Sequence, residues 1–111
     1  MIVHVVLFQP RADLDASTRD TLLEQIATAS TSIPSVRRMT IGRRITHNRP
    51  GYEQAMTTAY DYALIVEFDD QAGLIEYLQH PAHHSIGHHF TASAERSLAY
   101  DYEMTETTAM E

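Results

Sequence analysis

The sequence predicts an α+β domain whose elements run β-α-β-β-α-β, the ferredoxin-like order. Three observations predict it. A β-branched apolar run, IVHVVLF, occupies residues 2–8. Two stretches with apolar residues at helical spacing follow, one before Pro34 and one around Pro81. Between and after them lie three segments, 36–45, 59–68 and 97–104, whose apolar residues alternate as in strands.

The first strand puts Ile2, His4, Val6 and Phe8 on one face and Val3, Val5 and Leu7 on the other. Both faces are apolar, and His4 is the one polar side chain in the run. Asp15 or Ser17 caps the first helix, Leu22, Ile26, Ala29 and Ile33 form its buried stripe, and Pro34 ends it. In the second strand Met39, Ile41 and Ile45 share a face opposite Arg38, Thr40 and Arg44. Residues 47–58, HNRPGYEQAMTT, have no regular period and read as a long loop. The third strand aligns Tyr60, Tyr62, Leu64, Val66 and Phe68, with Ala63 and Ile65 opposite. Asp69 or Asp70 caps a short helix carrying Leu74, Ile75 and Leu78. Pro81 suits the first position of a second helix reaching about Ala92. The last strand aligns Leu98, Tyr100, Tyr102 and Met104. One domain over 1–104 is expected, followed by an acidic tail, 105–111, with no reason to be ordered.

Helices on one side of such a sheet leave its second apolar face uncovered. A second copy of the chain is the economical cover, so a homodimer with sheets packed face to face is expected.

Composition narrows the chemistry. With 111 residues and 43% hydrophobic content the chain supports one core. Fifteen acidic residues against eight basic ones give a formal charge of −7, which argues against nucleic acid as a partner. Cysteine is absent, and with it disulfides and thiolate chemistry. Lysine is absent as well, so Schiff-base chemistry and pyridoxal phosphate enzymes are excluded. The N-terminal MIVHVVLFQP has neither the basic start nor the cleavage site of a secretory signal, and no segment is long and apolar enough to span a membrane. A cytoplasmic protein is the expectation.

Five of the seven histidines fall in YLQHPAHHSIGHHF, residues 77–90. Its first part, within EYLQHPAH, together with HVVLF near the start, DYALIVEFDD in the third strand and AYDYEM at the end, resembles the stress-responsive dimeric α/β-barrel (Dabb) proteins over residues 2–104. The resemblance implies a ferredoxin-like protomer paired into a dimeric α/β barrel. It extends to polyketide cyclases of the olivetolic acid cyclase type, which close a poly-β-keto chain by aldol chemistry without metal or organic cofactor. Their functional histidine, tyrosine and histidine fall here on His4, Tyr77 and His83. On that reading His83 is the base, Tyr77 and His4 are orienting donors, and no cofactor is needed. The HSIGHHF segment is richer in histidine than the plant pattern, and the 47–58 loop has no obvious counterpart there.

Two weaker site readings come from position alone. Tyr52 and Met56 in the long loop could close over a pocket as substrate-binding residues. His80, His84 and His88, at i, i+4 and i+8, offer a metal alternative, although Pro81 breaks the helical phase between the first two. Three function classes therefore compete. The first is a cofactor-free cyclase or lyase acting on a carbonyl compound. The second is a non-enzymatic, stress-associated dimer that binds a small apolar or carbonyl ligand. The third, by fold analogy only, is a haem-handling or cofactor-independent monooxygenase-like protein.

Overall fold

The computed structural model describes residues 1–107. Its elements are β1 (Ile2–Pro10), α1 (Ala16–Thr31), β2 (Arg38–Arg43), β3 (Tyr62–Phe68), α2 (Gln71–Gln79), α3 (Pro81–Ser93) and β4 (Ala94–Glu103), with one short 3-10 turn at Glu53–Ala55. The second crossover is thus divided into two helices by the break at His80–Pro81. The strands form one antiparallel sheet in the order β2-β3-β1-β4. Residues 108–111, the end of the expected acidic tail, lie outside the described residues.

Sequence chemistry accounts for the boundaries. The Asp15 carboxylate accepts the Thr18 N–H at 2.7 Å, so of the two candidate caps Asp15 starts α1 and Ser17 lies inside it. Asp70 does the same for α2 by accepting the Gly73 N–H at 2.9 Å. β2 is shorter than the 36–45 alternation predicts. It ends at Arg43, and Ile45 is 82% exposed instead of sharing the face of Met39 and Ile41. β3 likewise begins at Tyr62, not at residue 59.

The helices cover one face of the sheet. Phe8, Tyr62, Leu64, Val66 and Phe68 are buried there against Leu22 and Ile26 of α1, Leu74 and Tyr77 of α2, and Ile86 of α3. Cross-strand pairing is set by this burial, because a one-residue slip would turn every one of these side chains to the other face. In the resulting register His4 lies opposite Asp101 on one side and Val66 on the other.

The second face carries Val5 and Leu7 of β1, Ile65 of β3, and Leu98, Tyr100 and Tyr102 of β4. Among the described residues no element covers it. Tyr100 and Tyr102 are each more than half exposed, an apolar expanse that a lone protein rarely leaves in water.

Candidate active site

A cavity of about 450 Å³ lies on the helical side of the sheet, between β1, β4 and the α2–α3 corner. Its size falls within the usual range for small-molecule sites. Its walls are mostly apolar, with Val6, Leu64, Leu78, Ile86 and Phe90 among them. Its polar lining comprises His4, Tyr77, His83 and Asp101, with the hydroxyls of Thr91 and Ser97.

Each is placed by a local rule. His4 alternates with Val3 and Val5 along β1, so it points to the helical side with Ile2 and Val6. Tyr77 ends the buried stripe of α2, four residues after Gly73 and three after Leu74. Pro81 then forbids helical geometry at His80, whose backbone is extended (φ −70°, ψ 140°). The His80 Nδ1 accepts the Ala82 N–H at 3.0 Å and caps α3. This turn folds His83, in the first turn of α3, back against Tyr77. The ring centroids are 4.8 Å apart for Tyr77–His83, 5.6 Å for His4–Tyr77 and 6.4 Å for His4–His83. The structure therefore brings all three residues around one space, from chain positions up to 79 residues apart.

The electrostatics differ sharply among them. His4 is 5% exposed, and its Nδ1 lies 2.6 Å from Asp101 Oδ1. The carboxylate accepts the Nδ1–H, which fixes the ring and leaves Nε2 as the nitrogen able to meet a ligand. Burial pushes the His83 imidazole below its ordinary value of 6.5, and any charge on His4 or His84 pushes it further down. A hydrogen bond with the Leu78 backbone opposes this in part. His83 is consequently a neutral ring with a free lone pair at pH 7. Burial raises the Tyr77 hydroxyl above 10, so it stays protonated, with Ser30 Oγ at 3.5 Å as its neighbour. A neutral base, a held imidazole and a phenol donor thus face one mostly apolar space.

Asp101 and Ser30 are additions that the sequence reading lacks. The visible clue for Asp101 is its place between Tyr100 and Tyr102, which puts it on the opposite face of β4 from both. For Ser30 the clue is its spacing of four from Ile26 on the buried stripe of α1; it is fully buried.

Two weaker readings change. Tyr52 and Met56 do not line this cavity within the chain: both are 52% exposed, and Tyr52 packs on His47 with centroids 4.5 Å apart. His80, His84 and His88 do not form a ligand set. Among the described residues no cluster of three metal-ligating side chains occurs, because His80 is committed to the helix cap while His84 and His88 face solvent.

The model of the stress responsive A/B barrel domain, Dabb, matches residues 2–104, nearly the whole chain. The chain belongs to the Dabb family. No match is found among curated proteins at the level of sequence. Solved structures share the fold. An Arabidopsis thaliana protein is 19% identical with a TM-score of 0.82, covering 97% of this chain and 99% of its own. A hydroxynitrile lyase from Passiflora edulis is 18% identical with a TM-score of 0.78, covering 96% and 94%. A cofactor-independent oxygenase from Streptomyces nogalater, SnoaB, is 14% identical with a TM-score of 0.71, covering 96% and 95%. Ferredoxin-like neighbours from Thermobifida fusca, Bacteroides fragilis and Jannaschia, 17–24% identical, are described as dimeric. Among the described residues, no helix of this Dabb protein is long and apolar enough to cross a membrane.

Proposed function

We propose that this Dabb protein is a homodimeric, cytoplasmic, cofactor-free cyclase or lyase that works on a carbonyl substrate by histidine general-base chemistry. The observation that supports it is the convergence of His83, Tyr77 and the Asp101-held His4 on one mostly apolar cavity.

In the proposed step the neutral His83 ring takes a proton from the carbon next to a carbonyl. The C–H electron pair moves into an enolate, whose oxygen accepts a hydrogen bond from the Tyr77 hydroxyl. The enolate carbon attacks a second carbonyl of the same molecule, forming the C–C bond and an alkoxide. That alkoxide takes back the proton held by His83. In the reverse direction the base removes a hydroxyl proton and the C–C bond breaks, the lyase form of the same step. His4, held at Nδ1 by Asp101, turns its Nε2 toward the reacting groups and orients them. An apolar cavity favours this arrangement, since hydrogen bonds to a developing charge are stronger away from water.

The test is binding of 2,4-dioxo compounds and their cyclic phenolic products, followed by NMR at the histidine rings. Saturable shifts at His4 and His83 in the wild type, abolished by a bulky Gly87→Phe at the cavity wall, support the reading. Shifts confined to the exposed His84 and His88 contradict it.

A further inference from the structure

The candidate cavity is unfinished on one side. Its outer wall is β4, the last strand of the sheet, through Ser97, Ala99 and Asp101, all of them exposed. Among the described residues no further element stands beyond that edge.

The arm between β2 and β3 presents the complementary situation. Its root is pinned by the Arg44 N–H to the Asp61 carbonyl at 2.7 Å. Inside it the Glu53 carboxylate accepts the N–H groups of His47 and Asn48, at 2.7 and 3.1 Å, and His47 packs on Tyr52. Gly51, at φ 78°, makes the turn that L side chains resist. The arm is thus shaped by its own bonds, yet Ile45, Tyr52 and Met56 stand exposed upon it. The radius of gyration is 15.5 Å, against about 13 Å for a compact chain of roughly this length.

Charge tells the two sheet edges apart. Five of the eight arginines (Arg37, Arg38, Arg43, Arg44 and Arg49) sit on or beside β2 and its arm. The β4 side after Arg96 carries Asp101, Glu103 and Glu106 and no cation at all. A four-stranded sheet cannot close alone, but two copies supply the eight strands of a small barrel. A two-fold arrangement can join like edges or unlike ones, and the charges favour β2 against β4. Strand directions alternate across the sheet, so this seam is antiparallel like every other pair. The register also places Arg43 and Ser97 at the same end, since Arg43 and Phe8 both pair with Tyr62 and Phe8 with Ser97. A chain leaving β2 at Arg43 therefore emerges beside Ser97 of a partner, at the open cavity wall.

We propose that the 44–60 arm of one copy closes the cavity of the other, with Tyr52 and Met56 as its apolar contacts, so that each site is built from two chains. This rests on the dimer proposed above, not on the role of His83, and its test reads contact instead of turnover.

The absence of cysteine makes Met56→Cys and, separately, Tyr52→Cys unique attachment points for a benzophenone maleimide. Dimers mixed from unlabelled and 15N-labelled chains are irradiated, and mass spectrometry separates inter-chain from intra-chain products. The expected result is inter-chain links into residues 87–101 from both positions. Links within one chain, links from arm to arm, or a dimer that yields no link to 87–101 overturn the proposal. The same holds if the protein sediments as a monomer at micromolar concentration.

Discussion

Asp101→Asn separates the His4 pair from everything else in the site. In the wild type the carboxylate accepts the Nδ1–H of a nearly buried imidazole at 2.6 Å. A hydrogen bond to a charged group contributes about 1.5–3 kcal/mol when both partners are shielded from water. The Asp101 side chain is 40% exposed, and exposed pairs contribute only about 0–1 kcal/mol, so about 1 kcal/mol is expected here. For a domain of this size that corresponds to a melting temperature lower by about 4 °C. The chemical effect is larger than the thermal one. A carboxylate only accepts, whereas the asparagine amide can also donate to Nδ1 and so permit the Nε2–H tautomer. Thermal melts by circular dichroism at pH 7 give the first quantity, and 15N shifts of the His4 ring give the second. A variant with the wild-type melting temperature and unchanged His4 nitrogens would show that the Asp101 contact neither stabilises the fold nor sets the tautomer.

Other expectations follow from the same geometry. Leu7→Asp places a charge on the bare sheet face, away from the helical core, and should convert the dimer to monomer in sedimentation velocity. Retention of the dimer would mean that another surface mediates association. His83 should titrate below 6.5 in NMR, and cavity-dependent activity should rise with pH through that midpoint. Because the folded value lies below the unfolded one, the stability linked to His83 is complete above about 6.5 and is lost as pH falls toward the folded midpoint. A midpoint above 6.5 would contradict the burial argument. Tyr77→Phe removes a hydroxyl whose protein neighbour is at the 3.5 Å limit, so stability should change by less than about 1 kcal/mol while turnover falls. A large loss of stability would make Tyr77 a structural residue instead.

The fold was legible because its signals are local. IVHVVLF alternates two apolar faces, Pro34 and Pro81 punctuate the helices, and Asp15 and Asp70 stand where caps are needed. The strand ends were less so: Ile45 continues the alternation of Met39 and Ile41, but pairing with β3 stops at Arg43, and propensity cannot register that loss of partner. At the site, His4, Tyr77 and His83 could be named from the motif resemblance. Asp101 could not, because its meeting with His4 depends on the β1–β4 register across 97 residues of chain. Ser30 depends similarly on a distant neighbour, the Tyr77 hydroxyl 47 residues along the chain. Tyr52 and Met56 lie in a loop of unusual length, and loop length marks a position without giving its direction in space.

The proposed abstraction by His83 of a proton from carbon beside a carbonyl can be measured before any natural substrate is known. Alkyl ketones and β-keto esters are incubated with the protein in D2O near pH 7, and loss of the α-proton signal is followed by NMR. The wild type should accelerate exchange above the buffer rate for ligands that fit the cavity. His83→Ala should remain dimeric and lose about 10²–10⁴ of that acceleration, the scale expected for removing a general base. Equal exchange with His83→Ala and wild type, or no acceleration by the wild type for any ligand that binds beside His83, would rule out His83 as the base.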